Sequence, residues 1–255
     1  MRSLVILIVI ILIAPLAATH DPMSTDTSAQ FLPPSQTHLL GTDLFGRDVW
    51  SRLAHGGIHT FAIASLASII ALIPGTIGGL VLSTAHRNIN RLADIAINAT
   101  LAFPSLITAF VVLTLVGQNP LALALAVGSV QIAPTIRVIR GAALQVRAEE
   151  FFEAARGLGS SSQHLLSAHV IPNIAHTAAA YTGIVFSYSL LNSAALSFLG
   201  LGGQPGVPDW GVMLAEGRQA FRIAPWIGLA PGIAITAAIM IVNHAGDQLG
   251  RRPRR

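Results

Sequence analysis

Long apolar runs dominate this chain, and the short polar segments between them carry almost all of its charge. A helix crosses the hydrocarbon core of a bilayer with about 20 mainly apolar residues, because it satisfies its own backbone groups away from water. Six runs meet or approach that length, at roughly 4–19, 58–85, 92–116, 120–139, 172–200 and 223–245. Hydrophobic residues make up 53% of the chain and charged residues 10%, against about 25% charged in an ordinary soluble domain. The expected fold is therefore all-α and polytopic, with about six transmembrane helices. The first run, LVILIVIILIAPLAAT behind Met1-Arg2, ends in the small residues Ala17-Ala18-Thr19 of a cleavable signal, but its Ile/Leu density suits a retained anchor.

Arginine placement orients the spans. With a cytoplasmic N-terminus, the inner side receives eleven arginines (2, 87, 91, 137, 140, 147, 156, 251, 252, 254 and 255) and the outer side four (47, 52, 218 and 222). The positive-inside rule favours that topology, with both termini cytoplasmic. The chain then divides into a first span plus an extracytoplasmic segment (1–57), a core (58–249) with a cytoplasmic loop at 145–172, and a basic tail (250–255).

Several chemistries are excluded by composition. There is no Cys, so thiolate metal sites and cysteine nucleophiles are absent. All basic residues other than His are Arg; without Lys the chain can build neither a phosphate-binding P-loop nor a Schiff base. No HExxH, GxSxG or GxGxxG occurs, and no internal repeat of the kind found in many secondary carriers is evident. The basic residues read as membrane orientation and not as a nucleic-acid surface.

The most informative polar stretch is EEFFEAARGLGSSSQHLLSAHVIPN, Glu149 to Asn173. Glu149 and Glu150 suit the positive end of a helix. Phe151, Ala154, Ala155 and Leu158 fall on one face by i, i+3, i+4, i+7 spacing. Gly157 and Gly159 allow a turn, and Ser160 to Ser162 can cap a second helix. That helix is expected from about Gln163 into the fifth span, with Pro172 near the boundary. The product is a helix-turn-helix knob. The same spacing would also fit an amphipathic helix lying flat on the membrane.

The pattern Glu153-Ala154-Ala155, Gly159, Ile171-Pro172 resembles the EAA loop of the permease subunits of bacterial ABC importers. Other segments are similar to permeases of the dipeptide, oligopeptide and nickel family: HLLGTDLFGRDVWSRL (His38–Leu53), LAFPS (Leu101–Ser105), LSFLGLGGQPGVPDWGVMLAEGR (Leu196–Arg218), and Asn243, Gly246, Asp247 and Leu249. The likeness is to the C-type subunit. His169 stands where the general permease pattern has isoleucine but where the dipeptide and oligopeptide branch often has histidine; departures from that branch are a near-absent lead-in before the first span, Ile58, Ser193, Gly206-Val207 and the RRPRR tail. The resemblance implies a type I importer permease fold in the bacterial cytoplasmic membrane. It also implies half of a pore completed by a second homologous permease, two cytoplasmic ABC ATPases, and an extracytoplasmic substrate-binding protein. ATP and Mg belong to the ATPases; this chain is not itself an enzyme and carries no cofactor. By the same resemblance Glu153, Ala154, Ala155, Gly159, Ile171 and Pro172 couple to the ATPases, and the cargo is a peptide, nickel or a metal-chelate. A stand-alone secondary carrier is the rival reading.

Three further constellations stand out. Thr42 or Asp43 can cap a short interfacial helix with an apolar stripe of Phe45, Val49, Trp50 and Leu53. Asp209, Trp210, Glu216 and Arg218 fall in an outer loop, where Trp210, Glu216 and Arg218 could meet a binding protein; a structural turn reinforced by Pro205 and Pro208 is the alternative. His55 and His59 share a helix face, but without a third ligand they read as interfacial residues and not as a metal site.

Overall fold

The computed structural model describes residues 2–202 and 207–250, apart from the side chain at position 2. Pro205, Gly206 and the tail at 251–255 lie outside the described residues.

Helix α1 (Arg2–Ile13) runs into a 3-10 turn, Ala14–Ala17, opened by Pro15. A long irregular segment then leads to α2 (Val49–Thr84). Next come α3 (Arg87–Ala102), α4 (Ser105–Val116), α5 (Pro120–Arg147) and the short α6 (Glu150–Gly157). A single turn, α7 (Ser162–His164), continues through a π-helical stretch, Leu165–Val170, into α8 (Ile171–Phe198). Helices α9 (Trp210–Ala220) and α10 (Trp226–Gly250) complete the described chain. Among the described residues, four helices are long and apolar enough to cross a membrane: α2, α5, the continuous Ser162–Phe198 helix and α10. The pair α3 and α4 passes the same criterion jointly, and Ser3–Ala17 is a shorter apolar helix.

Two boundaries differ from those read in the sequence. The run at 92–116 is not one straight rod: α3 and α4 meet at 92°. The break falls at Phe103-Pro104, inside LAFPS, where proline disfavours helical geometry in the residue before it. The second difference is the interfacial helix, which is not a separate element. Helix α2 begins at Val49 and passes residue 58 without interruption. Its cap is Asp48, which accepts a bond from the Ser51 amide, and not Thr42 or Asp43. The expected stripe breaks up accordingly: Phe45 precedes the helix, Val49 is fully buried, and the Trp50 indole N–H reaches the Ala17 carbonyl. At about 1.5 Å per residue, the 36 residues of α2 span about 54 Å, against about 30 Å of hydrocarbon. The surplus stands beyond the bilayer.

Small residues set the packing. Helix α2 lies against α5 through Gly75, where a Cβ would come within 2.5 Å of Thr135, and Gly128, where one would come within 2.6 Å of the Ala67 carbonyl. Such close approach is how helices associate in lipid, where burial of apolar surface offers little driving force. The far side of α2 presents Ile69, Ile73, Ile77 and Val81 outward at four-residue intervals, a face suited to lipid or to another apolar helix. Arg140 pairs with Asp94, and Arg137 donates to Asn98, so two polar contacts hold α3 to α5.

Candidate functional site

The loop between α5 and α8 forms a knob secured on one side and open on the other. Phe152, 3% exposed, packs among Ile139, Val146, Leu165, Val170 and Ile174. The Arg147 guanidinium lies 5.6 Å from the Phe152 ring centroid and donates to the Ser83 carbonyl, fixing the root of the loop to the end of α2. Glu150 and Glu153 occupy the first turn of α6 and Arg156 its last, the arrangement the helix dipole favours. Of the face expected from spacing, only Ala155 turns partly inward. Phe151 and Ala154 are exposed, and Leu158 is 89% exposed.

The turn after α6 is closed by two bonds, Gly159 N–H to the Arg156 carbonyl (3.0 Å) and Ser160 N–H to the Ala155 carbonyl (3.3 Å). That is the Schellman arrangement, which needs a left-handed residue just after the helix. Gly159 supplies it with φ +86°, and a Cβ there would meet nothing within 4 Å. Gly157 is simply the last residue of the helix. Ser161 then caps the next turn by accepting from the His164 amide. Pro172 sits in the first turn of α8, directly after the π-helical stretch. Glu153, Ala154, Gly159, Ile171 and Pro172 are all exposed, and Ala155 is half-buried.

The opposite end of the molecule buries its charges. Asp43, fully buried, accepts from Arg47 Nε at 2.7 Å and from Arg52. Glu216 accepts from Arg47 Nη2 at 3.0 Å and also from Arg52. Two cations and two anions thus alternate across the segment before α2, α2 itself and α9. Beside them Asp209 caps α9 through the amides of Gly211 and Val212 and accepts from the Thr60 hydroxyl. Burial pushes the Asp209 carboxyl up. The His59 ring, the Val212 amide and the Thr60 hydroxyl outweigh that and hold it below the usual carboxylate range. Trp210 is 3% exposed, donates to the Leu53 carbonyl at 2.8 Å, and meets Phe61 edge-on.

These positions revise several residue roles. Trp210 is an internal anchor, closed to any partner in this structure, and Glu216 is engaged by two arginines. Arg218 is exposed, with its guanidinium 5.4 Å from the Phe198 ring centroid. His55 and His59 do not form a shared metal site: His55 Nδ1 contacts the Ser51 carbonyl and His59 Nδ1 lies 3.6 Å from Asp209. The reading from sequence missed the Asp43–Arg47–Arg52–Glu216 network. One available signal was the density of charge between Asp43 and Arg52, with Asp43 and Arg47 four residues apart.

Several membrane-length helices and no strand among the described residues define a multi-pass helical membrane protein. Residues 75–255 match the family of binding-protein-dependent transport system inner membrane components, and the chain belongs to that family. The dipeptide transport system permease protein of Alkalihalophilus pseudofirmus is 33% identical over 95% of this chain and 80% of its own length. The di/tripeptide transport system permease protein of Pseudomonas aeruginosa is 32% identical over 93% and 80%. The glutathione transport system permease protein of Pectobacterium atrosepticum is 32% identical over 85% and 72%. The protein is therefore a multi-pass inner-membrane transport component.

Proposed function

We propose that this chain is the C-type permease subunit of an ATP-driven importer. It forms half of a translocation pore with a second homologous permease and is driven by two cytoplasmic ATPases, which carry ATP and Mg. An extracytoplasmic binding protein delivers the cargo, and exposed Arg218 is the residue of this chain we assign to that contact. The arginine distribution supports an orientation with both termini and the α6 loop inside. The three relatives are named for dipeptides, di- and tripeptides and glutathione. That common chemistry supports a short-peptide cargo ahead of nickel or a metal-chelate.

The observation that carries the coupling role is the two-sided loop. Phe152 and Arg147 tie α6 to the ends of α5 and α2, so a push on α6 is transmitted to the spans. Phe151, Ala154 and Leu158 remain uncovered, although exposed apolar groups of this size gain stability when a partner covers them. Nucleotide-driven movement of the ATPases displaces this knob and shifts the balance between inward- and outward-open states, as any ligand with different affinity for two states does. The test is Gly159→Arg. Uptake of labelled dipeptide should fall to background at unchanged abundance in the membrane, whereas wild-type uptake at equal abundance would overturn the coupling role.

A further inference from the structure

Outside the loop and the ion-pair network, three side chains from separate parts of the outer segment converge. His20 comes after the first apolar helix, His38 lies in the irregular segment, and Asp48 caps α2. One donor atom from each lies within 4.8 Å of the other two. His38 Nδ1 is 2.9 Å from Asp48 Oδ1, and the two imidazoles stack with centroids 4.7 Å apart. Asp48 is buried, His38 half-buried and His20 exposed, so the cluster has a fixed floor and an open mouth.

We propose that His20, His38 and Asp48 form an extracytoplasmic site for a divalent transition-metal ion such as Zn²⁺ or Ni²⁺. Two imidazoles with one carboxylate suit these ions better than Mg²⁺ or Ca²⁺, which favour all-oxygen sites. Donors bound about 2.0–2.2 Å from one ion stand roughly 3–3.5 Å apart. The 2.9 Å between His38 and Asp48 is already close to that spacing. Only exposed His20 has to close in, and its sole side-chain hydrogen bond given by the structure is to neighbouring Thr19, at 3.0 Å. Asp48 is held in place by the Ser51 amide on its second oxygen, at 2.8 Å, which pre-orients the first. The remaining coordination positions face the open side and take water. The ion staples the end of the first apolar helix to the start of α2.

The experiment titrates ZnCl₂ and NiCl₂ into the purified full-length chain, carrying no histidine tag, by calorimetry. Wild type should bind one ion per chain and release it to EDTA. His20→Ala and Asp48→Asn should each weaken binding at least tenfold, and His55→Ala should leave it unchanged. Metal should raise the Tm of wild type but not of His20→Ala, since an ion that binds only the folded state stabilises it. His20 is exposed, so that variant remains a fair test if Asp48→Asn folds poorly. Absence of binding by wild type, or equal binding by wild type and His20→Ala, would overturn the site.

Discussion

The two polar ends of this molecule treat their side chains in opposite ways. At the end where α2 begins, Asp43, Arg47 and Arg52 are almost wholly buried and pair with one another and with Glu216, while buried Asp209 is held by the Gly211 and Val212 amides and the Thr60 hydroxyl. At the other end, α6 buries a single phenylalanine, half-buries Ala155 and leaves its other apolar and charged groups uncovered, with Arg156 and Glu153 meeting only at 3.4 Å on the surface. A network of buried ion pairs ties three elements together; the α6 face stays open. The contrast places ion pairs where the irregular segment before α2 has no helix ladder to support it, and exposure on the short helix between α5 and α8.

Breaking the ion-pair end should have the largest effect on stability. Arg52→Met leaves Asp43 buried with one cation fewer, and loss of one partner from a buried pair costs about 3–5 kcal/mol. Thermal unfolding of the purified variant should show that loss, with abundance in the membrane falling alongside. A variant as stable as wild type would show that the network is not what holds the outer segment. Asp209→Ala should cost less, about 1–2 kcal/mol, as loss of a helix cap. Its pH dependence has a definite sign. The folded carboxyl lies below its ordinary value, so its contribution is complete above the unfolded pKa of about 3.9 and fades as pH falls through the folded value. The stability gap between wild type and variant should therefore be full at pH 7 and shrink below about pH 4, and a gap that widens in acid would contradict the assignment. Leu158→Ser sharpens the inner half of the comparison. The isolated chain should change by less than about 0.5 kcal/mol, as surface substitutions usually do, while ATPases recovered with the chain from native membranes should fall several-fold.

Much of the architecture is legible from hydropathy alone. The order of apolar segments, the helical loop at Glu150–Gly157 and the turn at Gly159 all arise from local pattern. The bend at Phe103-Pro104 carries a local signal too, since proline disfavours helix in the residue before it, yet hydropathy averaged over the window runs straight through it. Burial direction was harder to read. The spans are apolar on nearly every face, and in the loop Phe151 and Phe152 are adjacent and chemically identical. Only the packing of α6 on the π-helical stretch turns Phe152 inward and Phe151 out.

By itself, then, the sequence determined that this is a helical membrane chain with a capped, glycine-closed loop before its fifth apolar run, because apolar length, caps and turns are local properties. Tertiary structure alone decided that Trp210 is an anchor, that Arg52 meets Glu216 across 164 positions, and that His20, His38 and Asp48 converge. Those contacts join residues far apart in the chain or held together only by an irregular segment, and no periodicity records which of them the fold will bring within bonding distance.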